Sequence, residues 1–262
     1  MVIKDTKTKA DFFADALWDY FRGARVDLIL AREDGFRSRE DISWYFTRYA
    51  EFPLHEKRAL KFARRRVLDA GCGAGRHSLY LQARGLRVTA MDVSPRIVEL
   101  ARTRGVKDVR VADVRAQLPF HKKQFDTVIL FGNNLGIGGT VARFRKMLRE
   151  LARVTSPRGR ILATTRQPSV TNPTQRRYLQ NNLQRGRARG QMRVRLVYRG
   201  KRGAWFDVLL FPPTELMQIA AQEGWKIAQI FSENVEQGYS VVMEKRKAKS
   251  RKQKAESGKR KA

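Results

Sequence analysis

From residue 66 onward, short apolar runs alternate with segments whose apolar residues recur at helical spacing. Arg66-Val67-Leu68 follows a basic cluster and reads as the start of a buried strand; Leu86–Met91, Val109–Ala112, Phe125–Leu130 and Arg160–Thr165 repeat the pattern. Between them, His77–Arg84 reads as a helix ended by Gly85. Ser94-Pro95 then supplies an N-cap and an N1 proline for a helix through Ile97, Val98, Leu100 and Ala101. A further helix carries Phe144, Met147, Leu148, Leu151 and Ala152, and Pro212-Pro213-Thr214-Glu215 opens one that runs to Gly224-Trp225. Lys226–Phe231 and Tyr239–Glu244 read as two closing strands. This alternation predicts one α/β domain.

Two stretches break the alternation. Near the start, Phe13, Leu17, Tyr20 and Phe21 give an amphipathic helix stopped near Gly23, and Val26–Ala31 is an apolar run that ends at the turn Asp34-Gly35. An aromatic-rich segment, Asp41–Tyr49, follows. After residue 166, Tyr178–Leu183 suggests a short helix and Arg185–Gly190 a basic loop. Met192–Arg199 then places Val194, Leu196 and Tyr198 on one side and Arg193, Arg195 and Arg199 on the other. With a turn at Gly200–Gly203 and a return through Trp205–Leu210, this predicts a β-hairpin with an apolar face and an arginine face.

The chemistry gathers at Val67-Leu68-Asp69-Ala70-Gly71-Cys72-Gly73-Ala74-Gly75-Arg76. Alternate glycines supply φ > 0 and let a ligand lie against the backbone, over the carboxyl end of a strand. The third glycine of a dinucleotide fingerprint would fall where Arg76 stands, and Asp69 would repel a pyrophosphate but suits a ligand with a cationic end. Asp92 closes the next strand about 20 residues on, where an acid accepts ribose hydroxyls. Asp113-Val114 ends the third strand, and Asp126 stands near the start of the fourth.

Asp-x-Gly-x-Gly-x-Gly resembles motif I of the class I S-adenosylmethionine-dependent methyltransferases, and the resemblance extends closely over residues 60–165 and loosely over 205–244. It implies a Rossmann-like, seven-stranded, mostly parallel sheet with helices on both faces, closed by an antiparallel pair. It further implies S-adenosylmethionine as cofactor, held by Asp69, Gly71, Cys72, Gly73, Gly75, Asp92, Val93, Asp113, Val114, Phe131 and Asn133. In the family, the acid at Asp113 meets the adenine amino group and the next backbone N–H a ring nitrogen. An N-terminal segment commonly forms a lid, so Tyr45, Tyr49 and Phe52 are candidates to stack on donor or acceptor. Tyr45, Tyr49, Asn134 and Arg195 are the candidate acceptor contacts. Base amino-methyltransferases carry Asn-Pro-Pro-Tyr after the fourth strand; Phe131-Gly132-Asn133-Asn134 lacks it, which counts against exocyclic-amine chemistry.

Composition changes the picture in one respect. Lys and Arg number 55 against 25 Asp and Glu, a net charge of +30. Residues 244–262 hold ten Lys/Arg and two Glu without apolar periodicity, which predicts a disordered basic tail, and the rest still carries +22. Residues 151–206 contain no acid at all, and a field of this sign attracts polyanions. No run approaches the ~18 apolar residues of a membrane span, and Lys4, Asp5, Lys7 and Lys9 crowd the start where a signal peptide would be apolar. The single cysteine, Cys72, fits a reducing cytoplasm and reads as a packing residue rather than a nucleophile. The widely spaced histidines offer no metal cluster, so no metal is expected.

The expected organisation is an N-terminal helical lid over 1–58, a methyltransferase domain over 59–244 with a hairpin insertion at 167–211, and a disordered tail over 245–262. No residue's spacing names a catalytic base: His55, Glu56, His77 and His121 all qualify chemically and all fit the surface equally well. A small-molecule methyltransferase ranks first, because lid and insertion suit a closed pocket. An RNA (rRNA or tRNA) methyltransferase using the basic hairpin and tail ranks second, and a non-catalytic S-adenosylmethionine-binding module last. No membrane partner is expected, and the sequence leaves the oligomeric state open.

Overall fold

The structure, a computed structural model, describes residues 11–246. Helix α1 (Phe12–Phe21) starts at Asp11, whose carboxylate accepts the Ala14 N–H, and buries Phe12, Ala14, Ala16 and Leu17. Strands β1 (Leu28–Arg32) and β2 (Arg37–Glu40) form an antiparallel hairpin. Short 3-10 turns at Ile42–Phe46 and Tyr49–Glu51 lead into α2 (Leu54–Leu60).

The alternating core follows as β3 (Arg66–Ala70), α3 (Arg76–Ala83), β4 (Arg87–Asp92), α4 (Pro95–Thr103), β5 (Val109–Val111) and β6 (Phe125–Leu130). It continues with α5 (Val141–Val154) and β7 (Thr155–Thr165). The insertion carries α6 (Pro173–Gln184), β8 (Gln191–Tyr198), the two-residue β9 (Lys201–Arg202) and β10 (Phe206–Leu209). The chain closes with α7 (Pro213–Gln222), β11 (Trp225–Asn234) and β12 (Gly238–Lys245). The main sheet has seven strands in the order β11-β12-β7-β6-β3-β4-β5, with β12 antiparallel to both neighbours and the other inner pairs parallel. This is the expected Rossmann-like sheet.

Both of its faces are covered, which is why its inner strands read as continuous apolar runs. Leu68, Val128, Leu130 and Ile161 point to the side of Phe144, Met147 and Leu148 on α5 and Leu216 on α7. The intervening residues Val67, Ile129 and Leu162 point to the other, against Leu60 and Leu81. Helix α1 packs separately, on Ile97 and Leu100 of α4 and on Leu28 and Tyr198.

The ends of the chain depart from expectation in two places. The N-terminal segment is more than helical: β1 pairs with β8 (Leu30 opposite Leu196, Ala31 opposite Arg195), so lid and insertion share one antiparallel sheet ordered β10-β8-β1-β2. The hairpin partner of β8 is β10, as expected (Asp207 opposite Arg193), but β8 needs both edges satisfied and takes its second neighbour from the N-terminal segment. The arginine face is also broken. Arg199 lies past the strand end at φ +50° and pairs with Asp19 at 2.7 Å. At the other end Lys245 still belongs to β12, its ammonium donating to the Ala152 and Thr155 carbonyls. The tail expected beyond it lies, after Arg246, outside the described residues.

Candidate active site

The glycine turn joins β3 to α3, and each glycine there answers a different demand. All three have positive φ: Gly71 +83°, Gly73 +53°, Gly75 +82°. A Cβ on Gly71 would meet Asn134 Nδ2 at 2.4 Å, and one on Gly75 would meet Val106 Cγ2 at 2.6 Å. At Gly73 the nearest atom would be Tyr45 Cδ1 at 3.6 Å, so this backbone lies open to the space above it. Asp69 stays below the turn, fully buried, accepting the Ser78 hydroxyl at 2.6 Å, and burial raises its pKa. Its role is to hold the first turn of α3 rather than to reach the space itself.

That space is a cavity of about 820 Å³ over the carboxyl ends of β3, β4 and β5. Gly71, Cys72, Gly73, Asp92, Val93, Asp113, Val114, Phe131 and Asn134 line it. Asp92 accepts the Gly73 N–H through one oxygen and the Ser94 N–H through the other, each at 3.2 Å. Burial outweighs these bonds and pushes its pKa up to about 6. No arginine or lysine pairs with it among the described residues. A buried carboxylate without a cation suits neutral hydroxyl donors. At Asp113 burial also opposes the charge, but Arg115 overcomes it and holds the carboxyl below its usual range. Burial pushes the Cys72 thiol well up, which makes it a lining atom and a poor nucleophile.

Besides Asp69, Gly75 and Phe52, three more expected residues lie outside this lining. Tyr49 stacks on Tyr80 at 4.2 Å and lines neither this cavity nor the next. Asn133, at φ +63°, donates its backbone N–H to Thr164 and faces a second cavity. Arg195 lies over the Trp205 ring at 4.3 Å; it is Trp205 that lines this cavity, together with Phe206 and Asp207. Tyr45 does line it, and burial raises its phenol to about 12, so it is neutral.

The cluster that sequence reasoning left undecided lies between the lid and α3. Glu56 of α2 is 3% exposed, Arg76 6% and His77 5%. Arg76 donates to both Glu56 oxygens (3.0 and 2.9 Å) and to Thr47 Oγ1 (3.0 Å), with its guanidinium between the Trp44 and Phe52 rings. His77 Nε2 meets Glu56 Oε2 at 3.1 Å, and its ring packs between Phe52 and Phe131. Burial would raise the Glu56 pKa, but His77 and Arg76 keep it below the usual range. The only sequence signal was Arg76-His77 directly after the glycines; its partner is 20 residues upstream in a helix of seven residues. Across Trp44 and Gly132, which line both spaces, lies the second cavity of about 450 Å³, bounded by His55, Glu56, Asn133, Thr165 and Glu233.

A mostly parallel sheet with this order, a glycine turn after its inner strand β3 and acids at the end of β4 and after β5 define a nucleotide-type site at the sheet's switch point. The comparisons agree. Residues 67–159 match the family model described as a methyltransferase domain. Over 100 residues the chain is 38% identical to the malonyl-(acyl-carrier protein) O-methyltransferase of Erwinia pyrifoliae, covering 38% of this chain and 37% of that protein. It is 40% identical over 100 residues to the demethylmenaquinone methyltransferase of Clavibacter sepedonicus, covering 37% and 39%. The matched stretch thus spans less than half the length of these curated relatives. Among solved structures, an S-adenosylmethionine-dependent methyltransferase from Bacteroides fragilis, in complex with S-adenosyl-L-homocysteine, superposes with a TM-score of 0.77 at 26% identity, covering 91% of this chain and 96% of that one. Residues 67–159 thus match a methyltransferase-domain family, and the fold is that of the S-adenosylmethionine-dependent methyltransferases.

Proposed function

We propose that this protein transfers the methyl group of S-adenosylmethionine to a small-molecule acceptor. The observation that carries the donor assignment is Asp92: a buried carboxylate, fixed by two backbone N–H groups and without a cation among the described residues, beside an open glycine backbone in a cavity of about 820 Å³. Asp92 accepts the ribose hydroxyls, Asp113 and the Val114 N–H read the adenine edge, and Val93 and Val114 flank the base. Gly71 and Gly73, with the small Cys72 between them, give the methionyl part a wall of backbone and one small side chain. The bound donor supplies an electrophilic sulfonium methyl. The chain's own part is to orient it, exclude water with Tyr45 and Trp44, and bring the acceptor to near-attack distance.

The small-molecule reading draws on the covered cavity and on a relative whose name gives demethylmenaquinone as substrate; the other relative's name gives a small acyl group carried on a protein, malonyl-(acyl-carrier protein). The RNA reading draws on the acid-free stretch 151–206. One experiment tests both: calorimetric titration with S-adenosylmethionine, then tritiated-methyl transfer to metabolite, RNA and protein fractions. Donor binding with label in the metabolite fraction is expected. Absence of donor binding would end the reading.

A further inference from the structure

We propose that His77 receives the proton released by the methyl acceptor, with Glu56 as the residue that positions its ring, and that the acceptor approaches from the second cavity. This rests on the donor assignment above. Glu56 bounds the second cavity and His77 the first, and the two are hydrogen-bonded at 3.1 Å across the wall that Trp44 and Gly132 share. The carboxylate takes Nε2–H, which leaves Nδ1 as the basic nitrogen; it makes no hydrogen bond to the described residues. Phe52 and Phe131 fix the ring's plane at 4.9 and 4.7 Å, and Phe131 ends the strand-to-loop step beside the donor cavity. A carboxylate that holds one imidazole nitrogen while the other faces a cavity is the arrangement of a base with its orienting partner.

The lining limits the acceptor. The charged or titratable side chains around the second cavity are His55, Glu56 and Glu233, with no lysine or arginine among them, in a chain that carries +30 overall. Both carboxylates are already paired with arginines behind the lining, Glu56 with Arg76 at 2.9 Å and Glu233 with Arg58 at 3.5 Å, so no lining cation is left for a carboxylate acceptor, which would also have no proton to lose. A neutral or cationic acceptor whose attacking oxygen or nitrogen bears a hydrogen fits both facts. In the step, the acceptor atom's lone pair forms the bond to the methyl carbon, the carbon–sulfur pair stays on sulfur, and the acceptor's proton passes to His77 Nδ1. The imidazolium so formed is stabilised by Glu56.

Sinefungin tests this without the acceptor, because it carries an amino group where S-adenosylmethionine carries its sulfonium methyl. Calorimetry would compare sinefungin with S-adenosylhomocysteine on the full chain and on His77→Gln, whose amide keeps the Nε2 contact to Glu56 but removes the Nδ1 base. Sinefungin affinity is expected to fall roughly tenfold while S-adenosylhomocysteine affinity stays within about twofold. Glu56→Gln, which leaves the ring unanchored, should show the same split to a smaller extent. His77→Asn, which keeps an amide near the Nδ1 position without the Glu56 contact, is the second variant should Gln fold poorly, as read by its melting temperature. Parallel weakening of both ligands would overturn the inference by placing His77 on the donor itself, and no change in either would overturn it by removing His77 from the site. A wild-type protein that takes up neither ligand would overturn the donor assignment and this inference together.

Discussion

At the residue scale, Asp92 links burial to binding. Its pKa, pushed up to about 6 from an ordinary 3.8, means that the unliganded fold favours the protonated acid. The native state therefore binds more protons than the unfolded chain between those values, and this group makes the fold more stable as pH falls from about 6 towards 4. Donor binding runs the other way, because ribose hydroxyls need the carboxylate as acceptor: affinity for S-adenosylhomocysteine should fall as pH drops below about 6. In Asp92→Asn this pH dependence should vanish and affinity at neutral pH drop by ~1–3 kcal/mol, measured by calorimetry. Retained pH dependence in the variant would assign it to another group. The glycines give a second test. Gly73→Ala puts its methyl into the ligand's space and should abolish donor binding while costing ~1–2 kcal/mol of stability for φ +53°. Gly75→Ala adds a collision with Val106 and should instead lower stability further, by about 1–3 kcal/mol, in urea unfolding. The sequence showed these glycines as equals; which neighbour each one faces follows only from packing α4 and the Asn134 loop around the turn.

At the scale of elements, local pattern foretold the main sheet and missed the second. Strands β3, β4, β6 and β7 announce themselves because their apolar runs are buried on both faces and bounded by caps and turns, as Ser94-Pro95 and Gly85 illustrate, whereas β5, at the sheet edge, buries Val109 and exposes Val111. The pairing of β1 with β8 joins residues more than 160 positions apart, and nothing in the apolar run Val26–Ala31 names its partner. The same holds for the site: the residues lining the larger cavity sit at strand ends and are readable from spacing, whereas Glu56 meets Arg76 and His77 only through the fold that lays α2 on β7, β11 and β12. Arg76 makes that contact. With its guanidinium bonded to Glu56 and Thr47 and held between two aromatic rings, it ties three turns of the lid to the glycine loop. Removing it leaves Glu56 buried beside His77 alone, so Arg76→Ala should cost about 3–5 kcal/mol in urea unfolding. A loss below about 1 kcal/mol would mean that the lid is held by its apolar contacts. Because Glu56 titrates below its ordinary 4.5, the pair's contribution is present above that pH and is lost as pH falls through the depressed value.

At the scale of the whole molecule, the question is what a net charge of +30 does. The fold uses part of it internally. Arginines of the acid-free stretch draw carboxylates from other segments: Arg185 and Arg187 pair with Glu33 of the β1–β2 turn, Arg193 lies 3.9 Å from Asp207, and Arg199 pairs with Asp19 of α1. Arg193, Arg195 and Arg199 are therefore structural, tying the N-terminal segment and Trp205 to the insertion, rather than a free row spaced for phosphates. Within the insertion, Arg176, Arg177, Arg189, Lys201 and Arg202 are exposed and form no salt bridge among the described residues, so there a polyanion would meet them rather than the paired arginines. In protein ended after Arg246, changing Arg193, Arg195 and Arg199 to Gln should lower the melting temperature and leave RNA affinity and its salt slope unchanged. Changing Arg176, Arg177 and Arg189 to Gln should leave the melting temperature alone and reduce the slope by about one for each phosphate no longer neutralised. Binding of this kind, at about 50 mM salt and fading by about 200 mM, is what a basic surface gives any nucleic acid, and tritiated methyl should not enter RNA under either condition. Label in RNA that disappears in the Arg176/Arg177/Arg189 variant, with donor affinity intact, would move the acceptor from the small-molecule class to RNA.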